Sequence, residues 1–152
     1  MNTVVLLDSG PLGLITNPKG TPESLQCAFW VNSLLEKGFE VKVPEIIDYE
    51  IRRELLRGNK IKGIKRLDEF INYVGYIPLT TETMRKAAEF WAQVRKQGKP
   101  TADDKALDGD VILAAQAAIL MSRGRKVVVA TTNVGHLSRL IEAENWKDIR
   151  LS

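Results

Sequence analysis

Short, continuous apolar runs alternate along this chain with longer segments in which hydrophobic residues recur every three or four positions. Val4-Val5-Leu6-Leu7 and Val127-Val128-Val129-Ala130 have strand length and no polar interruption, as expected of strands covered on both faces. The helical periods between such runs predict βαβ units, and hence an α/β fold with a central, mainly parallel sheet flanked by helices. The first strand is expected over residues 3–7, ended by Asp8-Ser9-Gly10-Pro11, which reads as a turn. A helix follows over 21–36, with Thr21 as N-cap, Pro22 at its first position, Glu23 in its first turn and Gly38 as the stop. Its apolar face is expected to include Leu25, Phe29, Leu34 and Leu35.

A strand over 40–43 leads through Pro44 into a partly buried helix over 45–56, marked by Ile46, Ile47, Tyr49, Ile51, Leu55 and Leu56 and ended by Gly58. Another helix covers 61–74. Residues 76–79 can form only a short or edge strand, because Pro78 has no N–H to give a ladder. A helix over 81–97 precedes a polar loop over 98–109 that holds Asp103, Asp104 and Asp108. The strongly apolar helix 110–122, a strand over 125–131, a short helix from Asn133 toward Glu144 and a last strand near 149–151 complete the expected order.

With 152 residues, 44% hydrophobic and 27% charged, the chain has the make-up of one globular domain over 1–152. No apolar stretch approaches the ~20 residues needed to span a bilayer, so a membrane role is not expected. The first residues show no basic, long-apolar and small-residue sequence of a secretory signal, and a cytoplasmic location is expected. Cys27 is the single cysteine and His136 the single histidine, which excludes an internal disulfide and a Cys/His zinc cluster. Twenty-two basic against 19 acidic residues leave a net charge of +3, compatible with a polyanionic partner without requiring one. A nucleotide-binding domain of the flavodoxin kind would also place acids at strand ends, but neither GxGxxG nor GxxxxGK[ST] occurs.

Open parallel sheets bind ligands beyond the carboxyl ends of their strands. Asp8 follows the first strand, Glu50 lies on the helix after the second, and Asp110 opens the apolar helix that leads into the 125–131 strand. Carboxylates gathered there suit a hard divalent cation, which prefers oxygen and keeps waters or substrate phosphates as its other ligands. A purely structural reading stands beside this one. Asp8 is ordinary turn chemistry, and Asp108 is placed to cap the apolar helix, with Asp110 favoured there by the helix dipole. Glu50 is the acid least easily explained by structure, since Ile46, Ile47, Tyr49 and Ile51 surround it; Asp48 and Glu54 are expected to face solvent.

The same blocks carry a family resemblance. The strand running into Asp8-Ser9-Gly10-Pro11, the stretch Val43-Pro44-Glu45-Ile46-Ile47-Asp48-Tyr49-Glu50, Asp108-Gly109-Asp110 leading into Val111-Ile112-Leu113-Ala114-Ala115, and Thr131-Thr132-Asn133 together resemble the four motifs of PIN-domain proteins, of the kind found as VapC-like toxins of toxin–antitoxin pairs. The resemblance covers nearly the whole chain in order and spacing. It implies a PIN-like α/β/α sandwich and Mg²⁺- or Mn²⁺-dependent RNA cleavage leaving a 3′-hydroxyl and a 5′-phosphate. Asp8, Glu50 and Asp110 then become the metal-binding catalytic acids, with Ser9 or Thr132 and Asn133 as polar supports.

One position departs from the pattern. Many family members carry a further aspartate three residues after the asparagine, where this chain has His136. A neutral imidazole adds no negative charge and is a poor Mg²⁺ ligand, so Asp108, Asp104 or Asp103 is the candidate replacement, Asp108 being nearest to Asp110, and His136 is free to contact a phosphate. The resemblance also implies a small antitoxin protein as partner, and self-association into a homodimer through the early helices. Arg52, Arg53 and Arg57 follow Glu50 closely and are candidates for RNA contact, the other reading being a solvated helix face. A PIN-like domain that binds RNA or protein without cutting is the alternative function, favoured by His136.

Overall fold

The two uninterrupted apolar runs become neighbouring strands at the centre of a five-stranded parallel sheet. The structure, a computed structural model, describes residues 3–97 and 104–149, apart from the side chains of 104–106 and 136. Its elements are β1 (Val4–Leu7), α1 (Ser9–Thr16), α2 (Pro22–Glu36), β2 (Glu40–Pro44), α3 (Glu45–Arg57), α4 (Ile61–Val74), β3 (Tyr76–Ile77), α5 (Thr81–Lys96), α6 (Asp104–Ser122), β4 (Val127–Thr131), α7 (Val134–Leu137) and β5 (Ala143–Asn145), with a 3-10 turn over Trp146–Asp148. The strand order is β3-β2-β1-β4-β5 and every pairing is parallel, as the alternating pattern predicts. This is a PIN-like α/β architecture with helices on the sheet.

The order matters for chemistry. Successive strands step outward from β1 to β3, and the chain then returns to place β4 on the other side of β1. The β1–β4 boundary is therefore the switch point of the sheet, where the connections leave in opposite directions and open a crevice at the carboxyl ends. Leu6 faces Val129 across this boundary and Leu7 faces Ala130, which brings Asp8 level with Thr131. Val5, Leu6, Leu7, Val129 and Ala130 have no exposed surface, so the crevice has a rigid floor.

Several local expectations give way to tertiary structure. Asp8-Ser9-Gly10-Pro11 is no turn but the N-cap and first turn of α1: the Asp8 carboxylate accepts the Ser9 N–H at 2.7 Å, and Pro11 sits where a missing N–H breaks no helical bond. Helix α2 has the predicted cap and Pro22 start, but it buries Ser24, Cys27, Val31 and Leu34, leaving Leu25 62% and Phe29 74% exposed. The small side chains Ser24 and Cys27 let α2 lie close to α1, with the Cys27 thiol against the Pro11 carbonyl. On α3, Tyr49 and Leu56 are likewise exposed rather than buried.

Helix α6 begins at Asp104, so Asp108 and Gly109 are inside a helix rather than in a loop, and Asp108 is no N-cap; residues 98–103, including Asp103, lie outside the described residues. A strand forms at Ala143–Asn145, where Ala143 pairs with Val129 before the Asn145 side chain accepts the Lys147 N–H and turns the chain; of the strand expected near 149–151, residues 150 and 151 lie outside the described residues. Of the aromatic residues, Trp146 is buried against Trp30 with ring centroids 5.4 Å apart, whereas Trp91 stays partly exposed on α5. Among the described residues no helix is long and apolar enough to cross a membrane.

Candidate active site

Asp8 occupies the switch point. Its Oδ1 accepts the Ser9 N–H, and its Oδ2 accepts the Thr131 hydroxyl at 2.7 Å, a bond from the end of β4 to the end of β1. The Thr131 Oγ1 in turn accepts the Asn133 N–H at 2.9 Å, which leads the chain out of β4 and over the site. Thr131 is fully buried and supports Asp8 together with Ser9, one of the expected supports; Thr132, the other alternative, is exposed and lies against Gly10. A Cβ on Gly10 would come within 2.6 Å of the Thr132 side chain, so only glycine lets α1 start this close to β4.

Glu50 projects from the middle of α3, and its Oε2 would overlap any Cβ placed on Gly109. Glycine inside α6 therefore lets the carboxylate rest on the helix that carries Asp110. Burial is the main cause that pushes the Glu50 carboxyl above its usual range, followed by the negative charge of Asp8; Arg53 pulls the other way, and Asp110 adds a further upward push. Asp8 and Asp110, 102 positions apart in sequence, thus both act on Glu50 electrostatically. Each is half-buried.

The orientation of α3 depends on a polar residue within the otherwise apolar stretch Val111–Met121 of α6. Pro44 offers no side-chain cap to α3, and the buried Gln116 supplies one from α6: its Oε1 accepts the Ile46 N–H at 3.3 Å. Its Nε2 donates to the Ile77 carbonyl at 2.7 Å. A polar amide in the centre of Val111–Met121 was the available signal, since such a group needs partners when buried.

The other expected site residues are placed unevenly around these. Asp108 is exposed and lines an apolar groove with Met84 and Trp91, on the α5 side of α6. Two residues of helix turn it well away from Asp110. Ser9 and Asn133 are exposed at the mouth of the site, and His136 belongs to α7. Among the described residues, no group of three His, Cys, Asp or Glu side chains converges tightly enough to hold a metal ion by direct ligation alone. A groove of about 690 Å³ opens beside Glu50, lined by Ser9, Gly13, Ile51, Leu55, Lys19 and Lys60 among others.

The arginines after Glu50 divide. Arg52 is bound to Asp48 at 2.8 Å and to Asp68 at 2.7 Å, which also means that Asp48 is half-buried and paired rather than merely solvated. Arg57 pairs with Glu54. Arg53 instead lies over the Tyr49 ring, 5.0 Å from its centroid.

No protein-family model matches the chain, and no curated protein matches it in sequence. Solved structures do match in fold. A chain of VapBC2 from Rickettsia felis, solved bound to a DNA fragment from their promoter, superposes with a TM-score of 0.71 at 16% identity, over 95% of this chain and 99% of that one. A chain of VapBC-1 from nontypeable Haemophilus influenzae gives 0.66 at 15% identity, over 96% and 100%. A chain of DNA-bound VapBC from Salmonella typhimurium gives 0.65 at 21% identity, over 96% and 99%.

Proposed function

We propose that this protein is a divalent-metal-dependent ribonuclease, acting in the cytoplasm as the toxin of a toxin–antitoxin pair. The observation that carries the reading is the meeting of Asp8, Glu50 and Asp110 at the switch point of the sheet, close enough for two of them to raise the third's proton affinity. Full-length similarity in fold to chains of VapBC complexes supports the toxin assignment and an antitoxin protein as partner. A second copy of the chain is a further proposed partner, in keeping with the exposed Leu25 and Phe29 on α2.

The donor types suit Mg²⁺ or Mn²⁺, being oxygen ligands only, on three half-buried acids of which two raise the proton affinity of the third, although among the described residues no three such side chains converge on one point. Such an ion would be held by Asp8, Glu50 and Asp110, and would supply charge neutralisation at the scissile phosphate and a bound water of lowered pKa. Asp8 is fixed for this role by Ser9 and Thr131, which hold both its oxygens in one rotamer. Glu50, with its raised proton affinity, is suited to accept a proton from attacking water at Oε2. No protein nucleophile is needed, because water attacks phosphorus directly.

The test is cleavage of a pool of structured and single-stranded RNAs in Mg²⁺ or Mn²⁺ against EDTA, with wild type, Asp8→Asn and Asp110→Asn. Metal-dependent cutting by wild type that both variants lose is expected. Cutting that survives in both variants would remove these acids from the chemistry, and RNA binding without cutting in all three would replace the nuclease with a non-catalytic binding domain.

A further inference from the structure

The basic residues that follow Glu50 are not equivalent, and the structure separates them by what they already hold. Arg52 spends its donors on Asp48 and Asp68, and Arg57 on Glu54. Among the described residues no carboxylate forms an ion pair with Arg53, which is exposed one helical turn from Glu50. Residues three apart share a helix face, so Arg53 rises from the side of α3 that carries Glu50. Its guanidinium lies over the ring of Tyr49, a residue 55% exposed and adjacent in sequence to Glu50. A stacked guanidinium keeps its N–H edge available for a phosphate.

We infer that Tyr49 and Arg53 form an RNA-binding platform on the rim of the acidic site, in which Arg53 holds a backbone phosphate next to the scissile one and the Tyr49 ring keeps the guanidinium in place. An acidic centre repels RNA, and a cation on its rim both draws the strand in and sets its register. The charge of Arg53 already acts on Glu50, which agrees with its facing the site. The platform rests on RNA being the ligand proposed above. Arg53 is a positioning residue: it touches the strand and not the reacting atoms.

The experiment has two arms. Cleavage kinetics of a single-stranded RNA in Mg²⁺ are compared for wild type, Arg53→Ala, Arg53→Lys, Tyr49→Ala and the remote control Lys37→Ala. Binding of the same RNA, fluorescently labelled, is followed over a salt series in the Asp8→Asn background with and without Arg53→Ala. Arg53→Ala is expected to raise KM and Kd about tenfold with kcat unchanged, and to lower the salt slope by about 0.7, one phosphate's share on a single strand. Arg53→Lys should restore the slope but not the full affinity, and Tyr49→Ala should fall between. Equal Kd and slope with and without Arg53, in a protein that binds RNA, would overturn the platform and leave the nuclease standing. Arg53-dependent binding by a wild-type protein that never cuts would uphold the platform and overturn the cleavage reading. A wild type that neither binds nor cuts RNA would overturn both.

Discussion

Helix α3 carries charge on two faces in opposite ways. Its outer face is compensated, with Arg52 shared between Asp48 and Asp68, and farther along the helix Arg57 pairs with Glu54. Its inner face holds Glu50, half-buried, pressed on Gly109 and repelled by Asp8 and Asp110. Surface pairs contribute little to stability because water solvates the separated ions almost as well. A half-buried acid among acids is a liability, and its retention points to a ligand that neutralises it. The contrast teaches that the informative charges on this molecule are the ones left unbalanced.

The largest effect should come from the inner face. Glu50→Gln keeps the shape but loses the proton acceptor, and metal-dependent RNA cleavage should fall by on the order of 10²–10⁴; near-normal rates would remove Glu50 from the chemistry. Next comes the brace behind it. Gln116→Leu leaves the buried Ile46 N–H without its acceptor, and urea unfolding should show a loss of about 1–3 kcal/mol. An unchanged midpoint would mean that α3 is held by other contacts.

A smaller effect has a definite sign. The Glu50 carboxyl binds its proton more tightly in the folded protein than in the unfolded chain, so the native state carries the extra proton between the two pKa values. Its contribution is therefore full below the unfolded value of about 4.3 and is lost as pH rises through the folded one. Metal-free Glu50→Gln should melt at a higher temperature than wild type at neutral pH, with the difference vanishing in acid. Mg²⁺ should raise the wild-type melting temperature and close the gap; a variant that melts below wild type at neutral pH would contradict the repulsion. The smallest effect belongs to the outer face, where Arg52→Ala should cost less than about 1 kcal/mol and leave cleavage intact. A large loss there would erase the distinction between the faces.

Local signals in the sequence determined local structure. Thr21 and Pro22 announced α2, Gly58 and Gly75 bounded α3 and α4, Pro78 limited β3 to an edge, and two apolar runs named the central strands. Each depends on side-chain period or backbone geometry within a few residues, which the chain carries wherever it folds. The acids Asp8, Glu50 and Asp110 were also legible as strand-end chemistry sharpened by resemblance. Only the tertiary structure decided that Asp8 caps a helix, that α6 starts at Asp104, that Leu25 and Phe29 face outward, and that Thr131 rather than Thr132 holds Asp8. It also turned Asp108 away toward Met84 and Trp91, and assigned Arg52 and Arg57 to carboxylates while leaving Arg53 on Tyr49. The physical reason is the same in every case. Which face of an element is buried, and which partner a polar group finds, is set by surfaces supplied from distant parts of the chain, as when the β1–β4 register brings residue 8 beside residue 131.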